Sequence, residues 1–411
     1  MFSDHHYVVA LRWKRAEQRA VNKLYEEEKL KLTPLLEITA KRPPPPKDRP
    51  APKRPRILGD WMTEMANAVS VCWGTLRPAF AEVVPEVTDP LSEDLALRTE
   101  DLFRCARQAN ARLVPVVRLS YEEKRFQATK QIIAHDKRGA CIRLTRVDLA
   151  DPMLGTTVAD LLRSLAIPPE EADLIVDLHL LDKTGFDLLD ICNCIPHLHR
   201  WRTFTVLGGS YPSGLAKSQM GFNSFPRYEW IFWTEQIKRA LPRKPAYGDY
   251  ATVHPVPYNP DKHPPPCANI RYTTSQEWRV YKGLPLVPKK PESNEPSRYQ
   301  QFPAIANRLL SQSFYSGAMF SEGDKYINRM AEGFRSGNPV KTGNSETWLF
   351  AAVNHHLTYV VIEIDKLFSP SNTRGRASGG NSTAQPLPPA HGLAHDSASR
   401  VLLLHPNARA T

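Results

Sequence analysis

The sequence has no long apolar run and few cysteines, and both absences limit the class of protein. No apolar stretch approaches the ~20 residues that a membrane helix needs, so we expect no membrane span. Six cysteines spread over 411 residues do not form the dense framework of a disulfide-stapled secreted domain. The N-terminus lacks a basic region followed by an apolar stretch, so no secretory signal is expected. A reduced, cytoplasmic protein is the prediction.

Common catalytic motifs are also missing. The sequence has no P-loop, no GxGxxG after a strand, no HExxH and no GxSxG. Nucleoside-triphosphate and dinucleotide chemistry therefore lack support, and we predict no cofactor. The cluster Cys192, Cys194, His197 and His199 resembles a metal site, but its two cysteines lie closer than zinc spacings allow. Buried helix-end cysteines followed by surface histidines explain the cluster as well, so no metal is predicted.

The excess of basic residues is confined to two segments. The net charge is +11, yet residues 41–56 contribute seven basic residues and one acid, and residues 369–411 contribute four arginines and one aspartate. The remainder of the chain is nearly neutral, which argues against nucleic-acid binding by the folded core. A basic patch on one face of that core stays open as an alternative.

Short apolar runs alternate with helix-like stretches over the first 255 residues. Runs that are apolar at consecutive positions suit parallel strands buried on both faces. Eight such βα units favour a closed (β/α)8 TIM-like barrel, and the main rival is an open doubly wound sheet. The predicted strands are residues 7–11, 32–38, 80–84, 113–119, 140–144, 174–180, 204–207 and 246–253.

Three further segments complete the predicted organisation. Residues 43–56, in which seven of fourteen are proline, form a basic insertion after the second strand, either a solvated loop or a contact for an anionic ligand. Residues 256–368 form an appended α+β region, with a hairpin at 269–280 and helices at 299–312 and 347–368. Residues 369–411 are rich in Ser, Gly, Pro and Ala and predict a disordered tail.

Polar residues at the carboxyl ends of barrel strands are the candidates for a site. Arg118 and Arg143 each end an apolar run, where a charge is costly unless it is paired. Asp177 lies inside LIVDLHL and needs a partner, so we predict that it pairs with Arg143 at the barrel mouth. The set could bind a phosphate or carboxylate, or close the barrel as a structural salt-bridge network. The candidate catalytic residues are Asp177, Asp249 and Glu37, the candidate ligand-binding residues are Arg118 and Arg143, and Glu82 or Glu86, His179 and Ser210 end strands as well.

The turn after the seventh strand is a second candidate anion site. Gly208 and Gly209 permit a tight turn before Ser210, and a helix begins after Arg227. Backbone N–H groups of such a turn and the start of a helix bind anions, so Gly209, Ser210 and Arg227 are predicted ligand contacts. An ordinary turn with helix packing is the alternative. His355 and His356, on an apolar helix, are interpreted as core or interface histidines.

Several short motifs in this order resemble the phage Beta protein family. They include LTPLLEI, VPVVRL, the Asp177 strand, GGSYP, the Gly248-Asp249-Tyr250 strand and the Asn354-His355-His356 helix. The resemblance covers residues 7–368 and implies a largely uncharacterised protein of phage or bacterial origin, with no catalytic residues to transfer. The proline-rich insertion and the tail differ from the family core.

Two functions compete on this basis. In the first, the barrel binds or acts on an anionic small molecule or nucleotide at its mouth, which requires the polar residues to converge on one pocket. In the second, the protein is a non-enzymatic interaction protein in phage–host conflict, with the barrel as scaffold and the C-terminal region docking a protein partner. The second function predicts an exposed apolar patch on residues 347–368.

Overall fold

The computed structural model describes residues 2–41, 60–86, 94–182, 186–215, 218–257, 267–286, 298–337 and 341–369. The predicted insertion at 43–56 and nearly all of the predicted disordered tail lie outside these residues. The chain divides into Met1–Ser369 and Pro370–Thr411, and everything below concerns the first unit.

Eight parallel strands close into a barrel, which confirms the predicted fold and excludes the open sheet. Each strand pairs with the next along the chain, and the last pairs with the first, Tyr7 lying opposite Tyr247. The strands in barrel order are β1 (Tyr7–Arg12), β2 (Leu32–Thr39), β3 (Ala79–Val84), β4 (Leu113–Val117), β5 (Ala140–Thr145), β6 (Ala172–Leu180), β7 (Thr203–Gly209) and β9 (Ala246–Asp249).

Both faces of these strands are buried, which explains their continuous apolar sequences. Val8 and Ala10 belong to the cluster inside the barrel, together with Leu35 and Phe80 of the next two strands. The alternate residues Tyr7, Val9 and Leu11 pack outward against the helices. Every second strand residue therefore points to the axis.

Twelve α-helices accompany the strands in the described residues. Several begin at a side chain that accepts a backbone N–H, such as Asp60 and Asp94, as acidic N-caps do. The helices are α1 (Arg15–Asn22), α2 (Glu26–Leu30), α3 (Trp61–Cys72), α4 (Leu95–Gln108), α5 (Glu123–Asp136), α6 (Arg146–Leu149), α7 (Leu154–Leu165), α8 (Leu188–Cys194), α9 (Tyr228–Gln236), α10 (Gln301–Leu310), α11 (Glu322–Arg335) and α12 (Ser345–Phe368).

A three-stranded antiparallel sheet lies beside the barrel. The predicted hairpin is present as β10 (Cys267–Thr273) and β11 (Glu277–Pro285). The third strand, β8 (Gly221–Pro226), comes from the connection between β7 and β9 and pairs with β11. The C-terminal hairpin is thereby hydrogen-bonded to a segment of the barrel half of the chain.

Helix α12 packs against β10 and the helices α1 and α11. Thirteen of its residues are buried, among them Trp348, Leu357 and Ile364. Residues 347–368, all of them described, therefore do not present the exposed apolar patch that the interaction hypothesis requires. No helix within the described ranges has the length and apolarity to cross a membrane.

Candidate functional site at the barrel mouth

The inward-facing residues at the carboxyl ends of the strands form a polar ring. Register places Glu37 beside Arg12 and beside Glu82 on the neighbouring strands. Cys141 and Ile175 point into the barrel. Arg143 and Asp177 lie two residues further along the same strands, so their side chains also point inward, closer to the carboxyl ends. The ring contains Arg12 (β1), Glu37 (β2), Glu82 (β3), Arg118 (after β4), Arg143 (β5), Asp177 (β6) and Tyr250 (after β9).

Arg143 is the centre of the ring. It is buried, and its Nε and Nη2 donate to Asp177 Oδ2 at 3.0 and 2.7 Å. Its Nη1 donates to Glu37 Oε1 at 2.9 Å and to Glu82 Oε2 at 2.8 Å. The predicted pairing of Arg143 with Asp177 is therefore present, with two further carboxylates on the same guanidinium. Charge-assisted bonds of this kind compensate the desolvation of a buried charge.

Glu82, rather than Glu86, is the carboxylate of β3 that joins this network. Arg118 donates two hydrogen bonds to Glu82, from Nε to Oε1 at 2.5 Å and from Nη2 to Oε2 at 2.8 Å. Burial opposes ionisation of Glu82, but the positive charges of Arg118 and Arg143 outweigh it and lower its pKa to about 2. Glu82 is thus a fixed negative charge at neutral pH. Among the described residues, the buried Oε2 of Glu86 has no hydrogen-bond partner.

Asp177 and Glu37 differ in what remains free for chemistry. Asp177 Oδ2 accepts from Arg143 and, at 2.6 Å, from the Tyr250 hydroxyl, while its Oδ1 accepts the His179 backbone N–H. Its side chain is 3% exposed, against 14% for Glu37. Within the described ranges, only one oxygen of Glu37 is hydrogen-bonded, to Arg143. Asp177 therefore organises the floor of the mouth, and Glu37 offers an accessible carboxylate oxygen.

Tyr250 and Arg12 belong to the site and were not predicted. Burial first, and then the negative charge of Asp177, raises the pKa of Tyr250 well above its ordinary value, so the hydroxyl remains a donor. Arg12 donates through Nη2 to the carbonyls of His254 and Pro255, at 2.7 and 3.1 Å. Arg12 ends the first apolar run as Arg118 and Arg143 end theirs, so the same sequence signal could have found it.

His179 closes the carboxyl end of β6 in an unusual backbone conformation. Its φ is +54°, a left-handed value that histidine adopts more readily than most residues. The ring lies edge-on to Tyr250, with centroids 6.0 Å apart. Burial lowers the pKa of His179, so its imidazole is neutral at pH 7. The mouth therefore holds a neutral imidazole together with the Glu37 carboxylate.

A cavity of about 700 Å³ opens above this network. Its charged lining consists of five cations and three carboxylates. A fourth carboxylate, Glu82, is bonded to Arg118 and Arg143, so the cations still outnumber the carboxylates by one. The apolar part of the wall comes from Trp13, Val84, Pro85, Val147, Pro255 and Pro257. A largely apolar cleft with a few convergent polar groups is the usual form of a small-molecule site. The charged lining residues are Arg12, Lys14, Arg118, Arg143, Arg146, Glu37, Glu86 and Asp177.

Asp249 does not face this cavity, contrary to its assignment to the mouth. It points outward from β9 and is fully buried against α12. Its carboxylate accepts from the hydroxyls of Tyr7 and Tyr247, at 2.5 and 2.9 Å, and contacts His356 Nε2 at 2.9 Å. Tyr250, one residue later, is the inward neighbour. Because side chains alternate along a strand, an error of one residue moves a candidate to the opposite face.

His355 and His356 are both buried and hydrogen-bonded, in agreement with their interpretation as core or interface residues. His355 Nδ1 lies 2.9 Å from Asp324 Oδ2, and its Nε2 lies 3.0 Å from the carbonyl of Thr273. Burial lowers the pKa of His356, which therefore donates Nε2–H to Asp249 as a neutral imidazole. These contacts attach α12 to β9 and β10.

The second predicted anion site is occupied by the protein itself. Ser210 Oγ donates to the Pro226 carbonyl and accepts from the backbone N–H of Tyr228 and from Trp278 Nε1. A Cβ at Gly209 would lie 2.8 Å from Pro255 Cγ, so glycine there permits packing against the 250–257 loop. The turn therefore caps α9 and packs against its neighbours.

Arg227 is buried in the same region, away from the cavity. Its Nη1 donates to the carbonyls of Thr274 and Ser275, and its guanidinium lies 5.2 Å from the rings of both Trp230 and Trp278. The Cys192–His199 cluster likewise forms no site, since no group of three metal-binding side chains occurs in the described part of the chain.

The barrel and its polar mouth define a (β/α)8 protein of TIM-like architecture. The family model described as "Beta protein" matches residues 7–362, and the chain belongs to that family. No curated protein matches the chain. Among solved structures, triosephosphate isomerase from Bartonella henselae is 11% identical over 61% of this chain and 94% of its own, with a TM-score of 0.33. Tryptophan synthase from M. tuberculosis is 12% identical over 50% and 83%, with a TM-score of 0.22.

Proposed function

We propose that the protein binds, and can act on, a small anionic ligand in the cavity at the barrel mouth. The observation that carries the proposal is the excess of cationic over carboxylate side chains in the lining of a 700 Å³ cavity. Cations that converge in a partly desolvated cleft attract phosphate or carboxylate groups more strongly than the same cations on an open surface.

Lys14 and Arg118 are the groups best available to a ligand. Lys14 lines the cavity, is exposed, and has no ion-pair partner in the part of the chain that the structure describes. Arg118 is 23% exposed and bonds Glu82 through Nε and Nη2, which leaves Nη1 for a ligand. A bidentate contact with Glu82 also fixes the guanidinium plane before a ligand arrives, which reduces the entropic cost of binding.

Glu37 and His179 are the groups through which the site could transfer a proton. Glu37 has one oxygen without a partner among the residues that the structure describes, and His179 is neutral at pH 7. A carboxylate and a neutral imidazole are both proton acceptors, so either group could serve as a general base toward a ligand in this cavity. Asp177 has a positioning role in this scheme because its oxygens are occupied by Arg143, Tyr250 and a backbone N–H.

Calorimetric titration with inorganic phosphate, sulfate and a panel of phosphorylated and carboxylated metabolites tests this function. We expect Lys14→Gln to weaken anion binding by about tenfold, equivalent to the loss of one charge-assisted contact. Lys23→Gln, at an exposed lysine outside the cavity, is the matched control and should leave affinity unchanged. Absence of binding to every probe, or equal affinities for Lys14→Gln and Lys23→Gln, would refute the proposal.

A further inference from the structure

Two arginines at the mouth are held by backbone carbonyls instead of carboxylates. Arg12 donates through Nη2 to the carbonyls of His254 and Pro255, at 2.7 and 3.1 Å. Arg146 donates through Nε to the Leu178 carbonyl at 2.5 Å and through Nη2 to that of Leu180. Within the described residues, neither guanidinium has a carboxylate within ion-pairing distance. A carbonyl orients a guanidinium without cancelling its unit charge, so both keep their charge and spare N–H donors.

These two arginines stand on opposite walls of the cavity. Arg12 ends β1 and Arg146 follows β5, and four steps around an eight-stranded ring separate the two strands. Lys14 joins Arg12 on the β1 side. Arg146 is supported on its side by Phe186, whose ring centroid lies 4.4 Å from the guanidinium carbon. Arg12 and Arg146 line the same cavity.

The centre of the mouth has the opposite character. Arg143, in the floor, is surrounded by Glu37, Glu82 and Asp177, so its charge is already matched. In the described part of the chain, one oxygen of Glu37 has no hydrogen-bond partner. Carboxylate oxygens of this kind repel an anion and accept hydrogen bonds from hydroxyl or amino groups. Positive charge is therefore available at the two sides, and an acceptor, Glu37, is available between them.

We propose that the ligand of the mouth carries two anionic groups at opposite ends of a hydroxyl- or amine-bearing body. One anionic group binds Arg12 and Lys14, the other binds Arg146, and the body lies above Glu37. This inference rests on the proposed function, since it specifies the ligand class of the same cavity. Each anion would meet an arginine that is oriented before binding, which is the arrangement that favours bidentate recognition of phosphate or carboxylate.

Calorimetry with matched one-ended and two-ended probes tests the inference. The probes are the bisphosphates of ethanediol, propanediol, butanediol and hexanediol, each compared with the monophosphate of the same diol. We expect one bisphosphate length to bind at least about tenfold tighter than its monophosphate, because the second contact is intramolecular. Lys14→Gln and Arg146→Gln should each abolish that advantage. Arg163→Gln, on the exposed face of α7, is the charge-matched control and should retain it.

The possible outcomes separate this inference from the proposed function. If monophosphates bind and no bisphosphate length gains affinity, the two-ended ligand is wrong and the anion site stands. If no probe binds, the proposed function fails as well. Thermal unfolding of each variant shows whether it folds, and Lys14→Gln removes no described protein contact, so it reports on the β1 side even if Arg146→Gln is destabilised.

Discussion

At the residue scale, the floor of the mouth depends on the buried guanidinium of Arg143. Its donors reach Asp177, Glu37, Glu82 and Tyr250, which belong to four different strands or strand ends. Removing water from so many charges is costly, and only complete pairing repays that cost. Any change that leaves one of these groups without its partner should therefore affect stability as well as the shape of the cavity.

Replacing Asp177 with Asn tests the structural role of this pairing. The change removes the negative charge that meets Arg143 Nε and Nη2, while Glu37 and Glu82 remain on Nη1. We expect the free energy of unfolding to fall by about 3 kcal/mol, the lower end for a broken buried ion pair. Denaturant titration measures it. Asp160→Asn, in an exposed pair with Arg163, should cost less than ~0.5 kcal/mol, and equal losses would contradict the assignment.

Removing the charge of Glu17 should raise the free energy of unfolding, whereas removing that of Asp177 should lower it. Burial raises the pKa of this carboxyl from 4.5 to about 7, and its Oε2 has no hydrogen-bond partner in the described part of the chain. Between those pH values the folded state binds the extra proton, so the contribution of Glu17 to stability falls as pH rises. Glu17→Gln should therefore stabilise the protein by up to about 3 kcal/mol above pH 7 and have little effect near pH 4.5. Melting curves across this range measure the difference, and destabilisation at pH 8 would refute it.

The sequence predicted the pairing of Arg143 with Asp177 but not the side on which Asp249 lies. A charge inside an apolar run needs a partner wherever it lies, so Arg143 and Asp177 could be matched without knowing the register. The strands are apolar on both faces, so no alternation in the sequence distinguishes inward from outward positions. For that reason the sequence pattern places Asp249 at the mouth and does not identify Tyr250.

At the element scale, α12 is attached to the barrel by paired polar groups as well as by apolar packing. His356 contacts Asp249 of β9 and, through Nδ1, the Thr273 hydroxyl of β10 at 2.9 Å. His355 connects α12 with Asp324 of α11. Such fully satisfied buried networks specify one arrangement of the elements that they join.

A double-mutant cycle with His356→Gln and Asp249→Asn measures this attachment. Both side chains are buried and 2.9 Å apart, so their effects on the free energy of unfolding should be non-additive by about 1–2 kcal/mol. A parallel cycle of His356→Gln with Asp160→Asn provides the control, because Asp160 lies on the exposed face of α7. That pair should add within ~0.5 kcal/mol. Additivity in both cycles would show that the contact with Asp249 does not hold α12.

Elements with a local signal were predicted, and those that depend on distant partners were missed. The barrel strands, the hairpin and α12 are defined by apolar runs or periodicity within a few residues. Strand β8 has the mixed sequence GFNSFP and exists through pairing with β11, more than fifty residues later. Helix α11, also missed, is strongly polar on one side and buries Tyr326, Ile327 and Met330 on the other.

At the scale of the whole molecule, the C-terminal strands and helices of Met1–Ser369 pair with and pack against elements of the barrel half. Strand β8 pairs with β11, α12 packs on α1 and β10, and the loop after β9 contributes Tyr250 to the mouth. The family match covers the same part of the chain, from residue 7 to 362. The residues that line the cavity all lie between Arg12 and Pro257, and the C-terminal elements pack against the barrel that carries them.

Two truncations test whether the barrel depends on that packing. Ending the chain after Ser369 removes no element described here, so we expect an unchanged unfolding midpoint and unchanged anion affinity. Ending it before Ser345 removes α12 and its thirteen buried residues. Fully burying one large apolar side chain contributes ~1.5–3 kcal/mol, whereas a domain has only ~5–15 kcal/mol of net stability. The shorter chain should therefore not fold, as circular dichroism and hydrogen exchange would show. A folded, anion-binding chain without α12 would establish that the barrel is independent of the C-terminal region.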